Sequence, residues 1–114
     1  MKALTVRQPH ADRIRRGVKT LEIRSWITHY RGPLLICAGA RADDAEGRKL
    51  PLGVTLCQVD LVDVRPWRRQ DAREACARWQ KGLYAWVLAR PRAVPMRPLK
   101  GRLGLFEAPV DNEN

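Results

Sequence analysis

The spacing of short apolar segments between turn-forming residues is the feature that most constrains the fold of this chain. Seven segments have the alternating or fully apolar pattern of β-strands, namely 3–6, 20–26, 34–38, 54–64, 83–89, 94–96 and 102–106. The run 34–38 is apolar at every position, which predicts a buried strand. In 54–64 the hydrophobic phase slips near Gln58 and Asp60, which predicts a bulge or strong curvature.

Two further segments have helical periodicity. Pro9 suits the first turn of a helix, and Gly17 suits its left-handed end. Between them and just beyond, apolar residues recur at helical spacing at Ala11, Ile14 and Val18. The segment 70–79 is predicted to be a second, amphipathic helix with an apolar stripe of Ala72, Ala75, Cys76 and Trp79.

The order of these elements predicts the fold class. Strands, helices and strands in this order do not suit a doubly wound parallel sheet, whereas many short strands with two helices suit a small α+β barrel flanked by both helices. Residues 39–53 are expected to form a mobile loop with a helical turn at 41–47. The length of 114 residues fits one domain, expected over 1–110 and followed by a flexible tail at 111–114.

The charge balance favours a polyanionic partner. The chain has 22 Lys and Arg against 12 Asp and Glu, a formal net charge of +10. Nucleic acid is the usual partner of such a surface, because each neutralised phosphate releases counterions. An anionic membrane surface and a basic surface that serves solubility are the alternatives.

Compartment and cofactors follow from what the sequence lacks. No apolar stretch approaches the length of a membrane span, and the first residues do not resemble a signal peptide, so we expect a cytoplasmic protein with no membrane contact. Three cysteines without a CxxC pair are expected to be small buried residues, Cys37, Cys57 and Cys76. His10 and His29 have no partners at ligand spacing, so neither a metal nor another cofactor is expected.

The segment 17–24, with the sequence GVKTLEIR, groups the residues best suited to chemistry. Glu22 and Arg24 share one face of a strand with Trp26, and Lys19 lies across the preceding turn. A Lys and a Glu in a partly dry cleft keep each other ionised, and such a pair can clamp a phosphate, contact a base edge or transfer a proton. The Trp26 indole can stack on a base or on a guanidinium.

Structural roles are the alternatives for the same side chains. A pairing of Glu22 with Lys19 or Arg24 can simply close the turn, and Trp26 can cap the end of the barrel. Trp86 has the character of a core residue, although its strand borders the expected cleft.

Several other side chains also have two interpretations. Trp67 and Trp79 are expected to pack with the second helix. Tyr30 and Arg31 serve their turn or reach a phosphate. His10 stacks on a base or lies half-exposed on the first helical turn.

Taken with its flanking residues, the segment 17–24 resembles the ASCH family. It is preceded by Gln8-Pro9 and followed by Trp26 and by Tyr30-Arg31-Gly32-Pro33. The segments 53–61, 84–88 and 100–106 match the order in which that family shows similar motifs, so the resemblance spans about residues 3–107. The chain looks most similar to the branch that includes the C-terminal domain of a transcriptional coactivator subunit. This resemblance implies a PUA-like β-barrel.

The resemblance also implies a nucleic-acid-binding module, with RNA preferred and single-stranded or modified DNA as further partners. A base would enter a cleft lined by the GxKxxExR motif. The expected binding residues are Gln8, His10, Lys19, Glu22, Arg24, Trp26, Tyr30, Arg31, Trp86 and Lys100, with Arg13, Arg15, Arg16, Arg31 and Lys100 as phosphate contacts. The domain is assumed to be a monomer.

A small hydrolase is the alternative that the resemblance implies. Some ASCH-like proteins are ribonucleases, and others are amidohydrolases of N4-acylated cytidine with a GxKxxTxR motif, in which Lys assists a Thr nucleophile. Here Lys19 is kept and Glu22 replaces that Thr, so Glu22 would act as a general base for water, with Lys19 as its catalytic partner. Asp71 or Glu74 would supply the second acid.

Overall fold

The computed structural model describes residues 1–109, which form a six-stranded sheet with two short α-helices. The strands are β1 (Lys2–Gln8), β2 (Leu21–Arg24), β3 (Gly32–Ala42), β4 (Val54–Pro66), β5 (Tyr84–Ala93) and β6 (Phe106–Glu107), and the helices are α1 (His10–Arg15) and α2 (Ala72–Ala75). Two single-turn 3-10 helices, Gly47–Lys49 and Arg69–Asp71, lie in the connections.

The sheet order confirms the predicted α+β class. The strands lie side by side in the order β2-β5-β4-β3-β1-β6, with β1 and β3 parallel and the other described pairs antiparallel. Within residues 1–109, β2 and β6 are the two edges and do not pair with each other. The sheet is therefore open between these two edges, and it is a barrel only in a loose sense that is compatible with the predicted fold. Closure requires matched strand length and stagger, and β6 has only two residues.

Strand β3 is buried on both faces in its first half, as the apolar run 34–38 predicted. Leu34, Ile36 and Ala38 belong to the main core, which packs against α1. Leu35 and Cys37 belong to a second cluster on the opposite face. Because successive side chains of a strand point to opposite faces, one apolar strand supplies both clusters.

Strand β4 carries the predicted irregularity. Its register with β5 shifts between Gln58 and Asp60 and again between Leu61 and Asp63. Each extra residue increases the local twist of the strand. A strand of 13 residues can thus follow a curved sheet while keeping both neighbours.

Helix α2 is shorter than expected. The predicted helix 70–79 is a 3-10 turn followed by a single α-helical turn that ends at Cys76, whose φ of 53° is left-handed. The predicted packing of Trp67 and Trp79 is confirmed, since Trp67 belongs to a third cluster that contains Ala75, and Trp79 packs against that cluster.

Helix α1 buries Ala11 and Ile14, and the chain leaves it through Gly17 at a φ of +76°. Val18 follows that turn and is 52% exposed, so it does not continue the predicted apolar stripe.

Two connections differ from the prediction. Strand β3 continues to Ala42, which pairs with Gln8, so the first part of the expected loop 39–53 is strand. The helical turn lies at Gly47–Lys49 and not at 41–47.

The end of the described chain has fewer strands than expected. The segment 94–96 is not a strand, because β5 ends at Ala93, and only Phe106 of the predicted strand 102–106 is in β6. Proline residues within 94–98 lack the N–H that a ladder needs. The expected tail at 111–114 lies outside the described residues, and the domain limits 1–110 stay a prediction.

Two of the three cysteines have the expected buried environment. Cys37 and Cys57 are fully buried, and burial raises the pKa of their thiols to about 11 and about 12. Cys76 is only partly buried. None of the helices in residues 1–109 has the length and apolar character needed to cross a bilayer.

Candidate functional site

A cavity of about 1280 Å³ opens between β1, β2, the end of β3 and the segment 98–104. Arginine and lysine outnumber acidic side chains in its wall by six to two. The charged and titratable residues of the wall are Arg7, His10, Lys19, Glu22, Arg24, Arg41, Asp43, Lys100 and Arg102.

Glu22 lies at the centre of an ion-pair network in this cavity. Its Oε2 accepts a hydrogen bond from Arg24 Nε at 2.9 Å, and its Oε1 lies 3.7 Å from Lys19 Nζ. Lys19 Nζ also donates to the Ala75 carbonyl, and Arg24 Nη2 donates to the Thr5 carbonyl at 2.8 Å. The two pairings that the sequence left as alternatives, with Lys19 and with Arg24, therefore exist together.

The turn between α1 and β2 places Lys19 in the cavity wall. The backbone N–H groups of Val18 and Lys19 both donate to the Arg13 carbonyl, at 2.9 Å and 3.1 Å. This caps the helix end and reverses the chain into β2. Strand β2 then pairs along its whole length with β5, which fixes the side of the sheet to which Glu22 points.

Burial controls the protonation of Lys19. The side chain is only 3% exposed. Desolvation lowers the pKa of Lys19 below 10.5, and the nearby carboxylate of Glu22 opposes that shift. Such an ammonium gives up its proton more readily than a solvated one. The pair thus offers a guest one acceptor and one donor side by side, or a route for proton transfer.

His10 and Asp43 form a second titratable pair in the wall. His10 Nε2 lies 3.7 Å from Asp43 Oδ2, and Arg7 Nη1 lies 3.5 Å from Asp43 Oδ1. His10 Nδ1 is buried and has no hydrogen-bond partner within the described part of the chain. Burial, and then the charge of Lys19, lower the pKa of His10 below 6.5. The imidazole is therefore mostly neutral at pH 7.

Trp26 contributes the aromatic surface of the cavity. Its ring meets Trp86 edge-on, with the ring centres 4.7 Å apart, and its carbonyl accepts a hydrogen bond from Trp86 Nε1 at 3.2 Å. Trp86 is fully buried in the main core and lies outside the wall. Trp26 packs on that core and also faces the cavity, so capping and stacking are compatible roles for this ring.

The rim carries three cations, Arg41, Lys100 and Arg102, whose side chains have no hydrogen-bond or ion-pair partner among residues 1–109. The segment 98–104 is held against β1, because the Arg102 backbone N–H donates to Thr5 Oγ1 at 3.3 Å. A Cβ at Gly101 would lie 2.9 Å from that hydroxyl oxygen. The glycine therefore allows the close crossing that brings both cations of this segment to the cavity.

Six of the ten predicted binding residues line the cavity, and four do not. Those in the wall are His10, Lys19, Glu22, Arg24, Trp26 and Lys100. Those outside it are Gln8, Tyr30, Arg31 and Trp86. Whether any of the ten contacts nucleic acid stays a prediction.

All four residues outside the wall make hydrogen bonds within the fold, and that of Trp86 is the bond to the Trp26 carbonyl described above. Gln8 is fully buried, and its Oε1 accepts from the Asp12 backbone N–H at 2.8 Å. The Tyr30 hydroxyl donates to the Pro33 carbonyl, and Arg31 Nη1 donates to the Tyr30 carbonyl at 2.9 Å. These contacts stabilise the start of α1 and the turn before β3.

The basic residues of the first helix also lie outside the wall. Arg15 and Arg16 pair with Asp12 at 2.7 Å and 2.9 Å, and Arg13 lies 3.6 Å from Glu46. Their predicted phosphate contacts would require these pairs to open or to be shared.

The acids suggested as catalytic partners are not in the cavity. Asp71 pairs with Arg65 at 2.6 Å, and neither Asp71 nor Glu74 is part of the wall. Asp43 is the second acid that the fold brings to the cavity. Within residues 1–109, no three His, Cys, Asp or Glu side chains are grouped as metal ligands.

Sequence reasoning did not identify Arg7, Arg41, Asp43 and Arg102 as site residues. The available signal was the basic and acidic content of 39–53 and 98–104. That signal does not say which loop residues converge, because their meeting depends on contacts far apart in sequence.

Comparison with known proteins agrees with this fold. The model of the ASCH domain family matches residues 4–97. The chain is similar to the crystal structure of ASCH from Zymomonas mobilis, with a TM-score of 0.63, 17% identity and coverage of 87% of this chain and 72% of that chain. A mutant form of the same protein gives a TM-score of 0.67 and 13% identity, over 95% of this chain and 87% of that chain. At these identities the likeness shows the fold alone. Among curated proteins, none matches this chain.

Proposed function

The chain belongs to the ASCH domain family, a family with a PUA-like fold, and from that premise we propose that it binds nucleic acid by taking one base into the cavity. The observation that carries the proposal is the division of the cavity wall. Lys19 and Glu22 form an ion pair in the inner wall. The rim cations, Arg41, Lys100 and Arg102, have no ion-pair partner within residues 1–109.

The cavity has room for a base with its sugar and phosphate. Its volume of about 1280 Å³ exceeds the roughly 300–1,000 Å³ of pockets that enclose drug-sized ligands. The phosphate would contact Arg41, Lys100 and Arg102. The side chains of these residues have no hydrogen-bond or ion-pair partner within residues 1–109. Such contacts hold a strand in place without reading its sequence.

The inner wall would recognise the base itself. Glu22 Oε1 would accept from an amino or imino N–H, and Lys19 Nζ would donate to a neighbouring acceptor on the same base edge. Trp26 offers a ring surface beside them for stacking. An unpaired base is needed for both contacts, and unpaired bases are the usual targets of sequence-specific RNA recognition, so RNA is the proposed partner.

Four finer assignments are part of this proposal. The Glu22-containing motif supports a place in the branch that includes the C-terminal domain of a transcriptional coactivator subunit. We further propose that the domain acts in the cytoplasm and as a monomer, with single-stranded or modified DNA as a second class of partner.

The test uses rim residues, because their side chains have no partners in the fold. The affinity of a short single-stranded RNA is measured by fluorescence anisotropy from about 50 to 200 mM salt for the wild type and for Lys100→Gln/Arg102→Gln. Loss of two phosphate contacts should lower the salt slope by about 1.4, since each contributes about 0.7 for a single strand. Arg48→Gln/Lys49→Gln is the matched control, because both residues are exposed and lie outside the cavity wall.

The rim variant should bind more weakly than the control at every salt concentration. Equal affinity and equal salt slope for the rim variant and the control would refute phosphate binding at this cavity. Absence of binding by the wild type at low salt would refute the proposal as a whole.

Hydrolysis is a second candidate function, supported by the position of the Lys19 Nζ 3.7 Å from Glu22 Oε1 in the cavity wall. Lys19 would stabilise a developing negative charge, while Glu22 takes a proton from the attacking water. The substrate would be RNA or an N4-acylated cytidine.

The hydrolase test compares turnover of RNA and of N4-acetylcytidine by the wild type, Lys19→Ala and Glu22→Ala. Activity that disappears in both variants, while the fold is retained, supports catalysis. Activity that is equal in all three proteins comes from a contaminant.

A further inference from the structure

A second cationic surface lies on the connection between β4 and β5. It is formed by five exposed residues, Arg68, Arg69, Arg73, Arg78 and Lys81, and is called the 68–81 surface below. None of the five has a carboxylate at ion-pairing distance among residues 1–109. The charge of this surface is therefore not neutralised by the rest of the described fold.

The acids of the same connection do not offset this charge. Asp71 is already paired with Arg65 at 2.6 Å, which lowers the pKa of Asp71 through their hydrogen bond. Glu74 is the other acid of the segment 65–81. Five unpaired cations against one unpaired carboxylate form a surface that favours a polyanion.

Arg69 is held in a fixed orientation on this surface. Its guanidinium lies over the ring of Trp79, 4.2 Å from the ring centre. Trp79 is fixed in turn, because its Nε1 donates to the Trp67 carbonyl at 2.9 Å. A stacked guanidinium keeps its N–H groups available at the edges, so Arg69 is prepared to bind a phosphate at a small loss of side-chain entropy.

The 68–81 surface adjoins the cavity. Ala77, which precedes Arg78, is part of the cavity wall. Lys19 Nζ donates to the Ala75 carbonyl, and the Thr20 backbone N–H donates to the Glu74 carbonyl at 2.9 Å. The same connection therefore contacts Lys19 and Thr20 and also carries the exposed cations.

We infer that the 68–81 surface binds the sugar–phosphate backbone of a polynucleotide whose neighbouring base occupies the cavity. The ligand is then a nucleic-acid strand of several nucleotides, and not a free nucleoside. This inference rests on the proposed function and extends it, since the cavity alone would accept either.

The composition of the surface favours phosphate over acidic protein. Four of its five cations are arginine, whose planar fork matches phosphate oxygens with two parallel hydrogen bonds. The Arg69–Trp79 stack also presents the guanidinium plane of the exposed Arg69, on which an unpaired base can stack. An acidic polypeptide is the competing partner, and the experiment below distinguishes the two.

The experiment measures how affinity depends on ligand length. Wild type, Arg73→Gln/Arg78→Gln and the control Arg48→Gln/Lys49→Gln are compared for binding of a dinucleotide and of a single strand of about twelve nucleotides. The test variant and the control remove the same charge. We expect the test variant to bind the longer strand roughly tenfold more weakly than the control, with the salt slope reduced by about 1.4, and to bind the dinucleotide equally well.

Each other outcome contradicts a different statement. Equal binding of the longer strand by test variant and control overturns this inference and leaves the proposed function intact. If the test variant loses the same affinity for the dinucleotide as for the longer strand, the inference is also overturned. The substitutions would then affect binding in the cavity and not contacts with the rest of the strand. A wild type that binds neither ligand refutes the proposed function itself.

Two further measurements complete the test. If circular dichroism shows that Arg73→Gln/Arg78→Gln does not fold, Arg78→Gln/Lys81→Gln replaces it with the same expected results. Polyglutamate is added as a competitor to the wild type. The same unlabelled strand is the reference competitor. If polyglutamate displaces the longer strand as effectively as this reference does, the surface binds acidic polypeptides and the inference is overturned.

Discussion

Replacing Glu22 by glutamine tests whether the ion-pair network in the cavity contributes to stability as a buried, coupled pair. The substitution Glu22→Gln keeps the size of the side chain and removes its charge. Lys19, which is 3% exposed, and Arg24 would then face a neutral amide in place of the carboxylate. The perturbation is electrostatic, and the packing around position 22 is nearly unchanged.

The distances set the size of the effect. At an effective dielectric constant of about 20, two charges 3.7 Å apart attract by roughly 4 kcal/mol. Removing one partner of a buried pair costs about 3–5 kcal/mol in proteins. Because Lys19 keeps its bond to Ala75 and Arg24 keeps its bond to Thr5, we expect a loss of about 3 kcal/mol in the free energy of unfolding.

A double-mutant cycle separates this pair from other effects. Lys19→Met alone removes a buried ammonium and leaves Glu22 paired with Arg24, so no buried charge is left without a partner and the cost should be only about 1 kcal/mol. The double variant Lys19→Met/Glu22→Gln should therefore be more stable than the sum of the single changes predicts, by about 2 kcal/mol.

The pH dependence has a defined sign. Burial lowers the pKa of Lys19 in the folded protein below its unfolded value of 10.5, so the folded state prefers the neutral amine. Without the carboxylate the folded pKa falls further, and the stability of Glu22→Gln rises more steeply with pH than that of the wild type. The deficit measured at pH 7 should shrink as the pH approaches the unfolded pKa of Lys19.

Urea unfolding followed by tryptophan fluorescence at pH 7 and at pH 9.5 measures both quantities. A deficit below about 1 kcal/mol at pH 7 would place the pair in high-dielectric solvent. A deficit that is the same at both pH values would show that Lys19 does not titrate in response to Glu22. Either result refutes the description of the network as a buried, coupled pair.

Three further predictions concern the support of the cavity. Gly47→Ala would place a methyl group 2.5 Å from the Gln8 carbonyl oxygen, so we expect a loss of roughly 1–3 kcal/mol in urea unfolding. The pKa of His10 is lowered by burial, so the wild type should lose stability relative to His10→Gln as the pH falls below 6.5, and their difference should be constant above pH 7. Trp86→Phe removes the N–H that bonds the Trp26 carbonyl at 3.2 Å, and calorimetry should show a destabilisation of roughly 1–3 kcal/mol from the unsatisfied carbonyl, together with weaker RNA binding if Trp26 stacks.

Much of the fold was predictable because its signals are local. The apolar run 34–38 identified the strand buried on both faces, and the phase slip at Gln58 identified the register shift of β4. Closure of the sheet was not predictable, since it depends on how far the edge strands extend. The length of α2 was also missed, because Cys76 adopts a left-handed conformation that its residue type rarely takes.

The candidate site was predictable only where its residues are close in sequence. Lys19, Glu22, Arg24 and Trp26 were grouped by spacing, and the fold brings all four to the cavity. The partners from distant segments were missed. Asp43 is one example. The sequence predicted a loop from residue 39 onward, whereas β3 continues to Ala42 and places Asp43 directly after the strand.

The sequence by itself therefore determined the α+β class, the basic surface and the grouping of Lys19 with Glu22, because periodicity, charge and a short turn act over a few residues. Only the tertiary structure decided that these residues face a cavity. That cavity exists because the segment 98–104 crosses β1 next to Thr5, about a hundred residues away along the chain. Contacts over such separations depend on the packing of the whole sheet, which no local pattern encodes.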